Sequence, residues 1–138
     1  MILTQTLSQS YNMRSLVHKM HLFEILLAEL EKKISCVVIS ETWFSNSEYY
    51  VKYFLDGHNL FCSSRPNGGG GGNCTYVSDE YEPSVAGVWL TGAEAMVVRI
   101  NRSIQPVYSV SAVYRTPFGV PSAFLAELDA FLPSLPSN

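Results

Sequence analysis

The sequence predicts a mixed α/β domain. Three observations carry this expectation. An amphipathic helix runs directly into a short, unbroken apolar strand, which is half of a β-α-β unit. Later, two alternating strands flank a polar turn, as in an antiparallel hairpin. A second amphipathic helix follows between prolines.

Taken in order, residues 2–12 are expected to form a first strand, a polar one because of Gln5, Ser8, Gln9 and Ser10. A helix is expected from Leu16 to Lys32. Leu16, Met20, Phe23, Leu27 and Leu30 recur at steps of four and three, which places them on one face. Ser15 stands where an N-cap would, Glu29 and Lys33 have i,i+4 spacing, and Lys32 and Lys33 suit the negative end of the helix dipole. Ile34 to Ile39 is rich in β-branched residues without polar alternation, so it is expected to be a strand buried on both faces. Asn46 to Phe54 is aromatic and gives no clear period; Asn59 to Ser63 fits a short strand.

Pro66 to Asn73 contains five consecutive glycines between strand-like runs and is expected to connect a hairpin. It lacks the Lys and Ser/Thr that would continue a phosphate-binding Walker loop. Met96, Val98 and Ile100 alternate with Ala95, Val97 and Arg99, which suggests a half-buried strand. A turn at Asn101-Arg102-Ser103 leads into a second strand, with Tyr108, Val110, Ala112 and Tyr114 on one face. The last helix is expected from Ser122 to Leu132, with Leu125, Leu128 and Leu132 inward and Pro133 and Pro136 ending it.

Composition narrows the function classes. Of 138 residues, 47% are hydrophobic and 15% charged, too apolar for a disordered chain. The net charge of -3 argues against a basic nucleic-acid coat. Cys36, Cys62 and Cys74 do not suggest a disulfide scaffold. No basic, apolar leader and no span of about 18 apolar residues is present, so no membrane partner is expected. The expected location is intracellular, in nucleus or cytoplasm, with free thiols and with Asn73 and Asn101 unglycosylated.

Three positions could carry chemistry. Glu41 directly follows the buried strand, where α/β sheets gather ligands, and a carboxylate there suits Mg²⁺. Asn12 ends the first strand; its amide could orient a ligand, although a turn or capping role is the commoner use. Tyr114 ends a strand and precedes Arg115, and a phenol beside a guanidinium suits a phosphate. His18 and His21, at i,i+3, lack a third ligand nearby and are expected to face solvent. His58 falls in an expected turn.

Together the segments resemble one family. Tyr11-Asn12-Met13-Arg14-Ser15-Leu16 is similar to the opening Asn-x-Arg-Ser-Leu motif of endonuclease domains from non-LTR (LINE-type) retrotransposons. Ser40-Glu41-Thr42-Trp43-Phe44 resembles their Glu-Thr-Trp motif, and Asp56-Gly57-His58-Asn59-Leu60-Phe61 their Pro-Gly-Tyr-Asn-Leu-Phe. Arg65 and the glycine run precede Thr75-Tyr76-Val77 as in the family, and Val113-Tyr114-Arg115-Thr116-Pro117 resembles Val-Tyr-Arg-Pro-Pro. The resemblance implies the endonuclease/exonuclease/phosphatase superfamily and part of a four-layer α/β sandwich with mixed sheets. It implies Mg²⁺-dependent hydrolysis of a DNA phosphodiester, a nick that primes reverse transcription by a reverse transcriptase domain of the parent protein. Asn12 would position the water or scissile phosphate, Glu41 would hold Mg²⁺, and Tyr114 and Arg115 would contact phosphate.

The sequence also departs from the family. Thr116 and His58 replace Pro and Tyr, and Asn73 and Thr75 are polar in a strand otherwise apolar, which is expected to weaken its burial. The family's Gly-Asp-Phe-Asn and Ser-Asp-His motifs, the latter holding the general base, do not occur. Residues 1–138 are therefore expected to be a single partial domain, incomplete at the C-terminus, because domains of this kind run to roughly 200–250 residues. Whether these residues act as an enzyme is left open. The alternatives are a non-enzymatic domesticated protein-binding module, or another phosphoesterase of the superfamily.

Overall fold

The structure, a computed structural model, describes residues 8–29, 35–44, 52–63, 71–90, 93–102, 105–115 and 120–134. Two sheets account for the strands. The first has the order β1-β2-β4-β3, from β1 (Ser8–Asn12), β2 (Cys36–Ser40), β3 (His58–Ser63) and β4 (Asn73–Ser78). β1 and β2 run parallel, and the other pairs are antiparallel, so the sheet is mixed. The second sheet is an antiparallel meander of β5 (Glu82–Leu90), β6 (Ala93–Arg102) and β7 (Gln105–Arg115). The helices are α1 (Met20–Glu29), entered through a 3-10 turn at Leu16–His18, and α2 (Pro121–Phe131).

β2 and β4 form the centre of the first sheet and are buried on both faces. Along each strand side chains alternate between faces. Val37 and Ile39 of β2 join Cys74 and Tyr76 of β4 on the face that meets Leu16 and Phe23. Cys36 and Val77 emerge on the other face and meet Met96, Val98 and Ile100 of β6. The first sheet is thus packed between α1 and the second sheet. Tyr76 anchors the helix side: its ring lies 5.5 Å from that of Phe23, and its hydroxyl donates to the Tyr53 carbonyl at 2.7 Å. Tyr53 in turn stacks on Phe44 at 4.5 Å.

Most of the expected elements are present. The parallel β1/β2 pair around α1 makes the anticipated crossover, and the Gly-rich segment joins antiparallel neighbours. The β6/β7 hairpin is present, with a bulge at Ile100/Asn101 where Pro106 enters the pairing. The expectations on residues 2–7, Leu30, Lys32, Lys33, Ile34, residues 46–51, residues 66–70, Ser103, Thr116, Pro117 and Pro136 lie outside the described residues.

Four expectations are corrected. Ser15 does not cap the helix through its side chain; it takes a left-handed backbone (φ 82°) and is buried. The last helix turns a different stripe inward. Leu125 and Leu132 are 56% and 51% exposed, whereas Phe131 is 9% exposed and Phe124 and Leu128 are half-buried. Residues 124, 128 and 131 also keep helical spacing, so period alone could not choose between the stripes. β4 is buried along its full length, Asn73 and Thr75 included, because it is central in its sheet and covered on both sides. β6 is likewise more than half-buried: Ala95 and Val97 are inside as well, and of the two alternating sets only Arg99 is exposed.

β5 is an element the sequence pattern conceals. Pro83 would disfavour a central strand, but β5 lies at a sheet edge, where a missing N–H is tolerated. Among the described residues no helix is long and apolar enough to cross a membrane.

The buried thiols make stability sensitive to alkali. Burial pushes the Cys36 thiol from an ordinary 9.0 up to about 12. Burial, then a hydrogen bond and charge from Cys62, push Cys74 upward too. Above about pH 9 the unfolded chain loses these protons while the folded chain keeps them, so stability present below that pH falls as pH rises. The expected loss is about 1.4 kcal/mol per pH unit for each thiol until its folded-state ionisation is reached. Urea denaturation at about pH 8 and about pH 10.5 measures it, and Cys36→Ala should flatten the dependence.

Candidate functional site

The carboxyl ends of β1 and β2 meet the start of β4 at one corner of the first sheet. The register sets Asn12 beside Ser40, and Ser40 beside Asn73. Beyond the strands the backbones stay joined. The N–H groups of Met13, Ser15 and Leu16 donate to the carbonyls of Ser40, Glu41 and Thr42 at 3.2, 2.7 and 3.1 Å. On the other side the N–H groups of Thr42 and Trp43 donate to the carbonyls of Gly72 and Gly71 at 3.2 and 2.9 Å. Residues 41–43 are therefore held between the β1–α1 connection and the end of the glycine run.

This corner concentrates unusual backbone. Arg14, Ser15, Glu41 and Trp43 have φ of 43°, 82°, 57° and 60°, in the left-handed region that costs a residue with a Cβ about 1–2 kcal/mol. Gly71 and Gly72 take φ of 72° and 83°, where glycine carries no such penalty. Such conformations persist only where the surroundings over-determine them, here through five main-chain hydrogen bonds. Lys19 adds a sixth tie, its Nζ donating to the Met13 carbonyl at 2.6 Å.

The structure brings two of the expected site residues together. Glu41 is half-buried directly after β2, and Asn12 is exposed at the end of β1. The Asn12 side-chain oxygen accepts from the Arg14 N–H at 3.3 Å, an Asx-turn contact made by the oxygen and not by the amide's two donors. Tyr114 and Arg115 are placed by their backbone on the other sheet, opposite Glu94 and Ala93 near the end of β7. β7 packs against β2 and β4, the strands that frame Glu41. His18 and His21 are exposed, and His58 Nδ1 lies 3.0 Å from the Asp56 carbonyl in the turn before β3.

Among the described residues no three His, Cys, Asp or Glu side chains converge. The donor set at the corner fits Mg²⁺ as one carboxylate, because that ion commonly takes one or two carboxylates and completes its shell with water and phosphate. Zinc, which needs three or four protein ligands, does not fit. Two buried hydroxyls flank Glu41: among the described residues Ser15 Oγ and Thr42 Oγ1 meet no hydrogen-bond partner. Arg14 and Trp43, both exposed, stand on the same rim.

No protein-family model matches the chain, and no curated protein matches it. Sequence reasoning located Asn12 and Glu41 but not the frame of Arg14, Ser15, Thr42 and Trp43. Nothing in the residue types of Arg14, Ser15, Glu41 and Trp43 signals their left-handed backbone, which Gly and Asn usually mark.

An orphaned hydroxyl in a buried position destabilises by about 1–3 kcal/mol. Thr42→Val keeps the shape and removes it, so the variant should gain about 1 kcal/mol of stability, measured by urea denaturation.

Proposed function

We propose that this corner binds a DNA phosphodiester together with Mg²⁺, as the Asn/Glu part of a retrotransposon-type endonuclease. The observation that carries the reading is the pairing of Asn12 with Ser40, which ends two parallel strands side by side and puts an amide and the Glu41 carboxylate at one sheet corner. On this reading the two sheets with their helices belong to the four-layer sandwich of that superfamily, and the parent protein's partner domain is a reverse transcriptase.

Glu41 would hold the ion. Bound there, Mg²⁺ would supply Lewis-acid stabilisation of charge on the phosphoryl oxygens. Asn12 donates from its amide to the water or phosphate and fixes its orientation. By the resemblance, Tyr114 and Arg115 at the end of β7 would supply further phosphate contacts. The general-base motif of the family is absent from these 138 residues, and general-base catalysis contributes about 10²–10⁴-fold. Binding of DNA and Mg²⁺ is therefore the property proposed for these residues.

Titration of a fluorescent duplex DNA with and without Mg²⁺ tests the reading. Mg²⁺ should tighten binding by the wild-type chain about tenfold, which is about 1.4 kcal/mol. Glu41→Gln should abolish the Mg²⁺ effect, and Asn12→Ala should weaken binding in both conditions. Equal Mg²⁺ responses of wild type and Glu41→Gln would refute it.

A further inference from the structure

Cys62 and Cys74 are direct partners across the β3/β4 ladder, at the second residue of β4. Directly opposed residues in an antiparallel pair have Cα atoms about 4.5–5.5 Å apart, inside the window of about 4.4–6.8 Å that a disulfide spans. Both side chains belong to the cluster on the α1 face of the sheet, and their thiols share a hydrogen bond. The two thiols differ in access. Cys62 is half-buried, whereas Cys74 is fully buried. Cys36 is also buried, but it lies on the opposite face of the sheet in the cluster with Met96 and Val98. It is therefore no partner for either.

We propose that Cys62 and Cys74 are a peroxide-oxidisable dithiol that closes into a cross-strand disulfide. Cys62, the accessible thiol, attacks one oxygen of hydrogen peroxide; the O–O bond breaks, and hydroxide leaves and takes up the thiol proton as water. Cys62 is then a sulfenic acid. The Cys74 sulfur attacks the Cys62 sulfur, the S–O bond breaks, and the departing hydroxyl takes the Cys74 proton as a second water. Two thiols and one peroxide give one disulfide and two waters, and two electrons pass from sulfur to oxygen. The burial that keeps Cys74 protonated slows this second step, so closure is slow at neutral pH and faster in mild alkali.

The bond would clamp the base of the segment that carries the glycine run. Gly71 and Gly72 lie just before Asn73, and their carbonyls hold Trp43 and Thr42. Oxidation therefore ties the β3/β4 hairpin next to the corner that holds residues 41–43. The assignment stands independently of any reading of what that corner binds.

The experiment treats the purified, reduced chain with hydrogen peroxide and maps its peptides by mass spectrometry without reduction. The expected product is two hydrogens lighter, contains a Cys62–Cys74 linked peptide, and reverts with dithiothreitol. Cys36→Ser should form the same link, and Cys62→Ser and Cys74→Ser should not. Closing a loop of this size should also raise the melting midpoint of the oxidised chain by at least about 5 °C. A link to Cys36, a link between chains, a sulfinic acid at Cys62 beside a free Cys74 thiol, or no reaction at either thiol would each overturn the proposal.

Discussion

β2 and β4 have no spare face. On one side Val37, Ile39, Cys74 and Tyr76 meet α1 and the turn before it; on the other, Cys36 and Val77 meet β6. A strand with one wet face can slip by two residues and keep its pattern. A strand covered on both sides is held more tightly, because a slip by one exchanges both sets and a slip by two drives a polar end into the core. Ser40 is such an end, half-buried and paired with Asn73. The position of Asn12 beside Ser40 is thus inherited from core packing two layers deep.

What leaves the sheet at that corner is held by main chain more than by side chains. Carbonyls of residues 40, 41 and 42 accept from one neighbour, and N–H groups of 42 and 43 donate to the other. This arrangement accommodates four left-handed residues with bulky or functional side chains at positions where glycine would sit more easily. Positive-φ backbone and the two orphaned hydroxyls of Ser15 and Thr42 thus gather around Glu41. Local rule-breaking of this kind is concentrated at functional sites in folded proteins generally.

The legibility of the fold follows from the same division. β2 was readable because a strand covered on both faces needs a continuous apolar run, and Cys36 to Ile39 is one. α1 was readable from its stripe, and Phe23 lies where the stripe puts it. The polar residues of β4 misled, because burial there is imposed by the neighbours rather than advertised by Asn73 and Thr75. The small residues and Pro83 of β5 hid an edge strand, and two equally periodic stripes competed on α2. At the site, strand ends pointed to Asn12 and Glu41. The hydrogen bonds donated by residues 42–43 to the carbonyls of 71–72 join segments nearly thirty positions apart, which no local pattern encodes.

The glycine run has a consequence for how this chain can vary. Its last two members, Gly71 and Gly72, are held as acceptors for Trp43 and Thr42, and both adopt positive φ. All five residues from Gly68 to Gly72 are chemically identical. If the run gained or lost a glycine, another glycine would occupy the two held places, and the ladder from Asn73 onward would keep its register. Closing a longer loop is cheap, about 0.6 kcal/mol for each doubling of its length. The homopolymer therefore works as slack in the chain: its length can drift while the two anchoring positions are refilled by equivalent residues. A run of mixed residues would lack that tolerance, since each shift would bring a Cβ into a left-handed position.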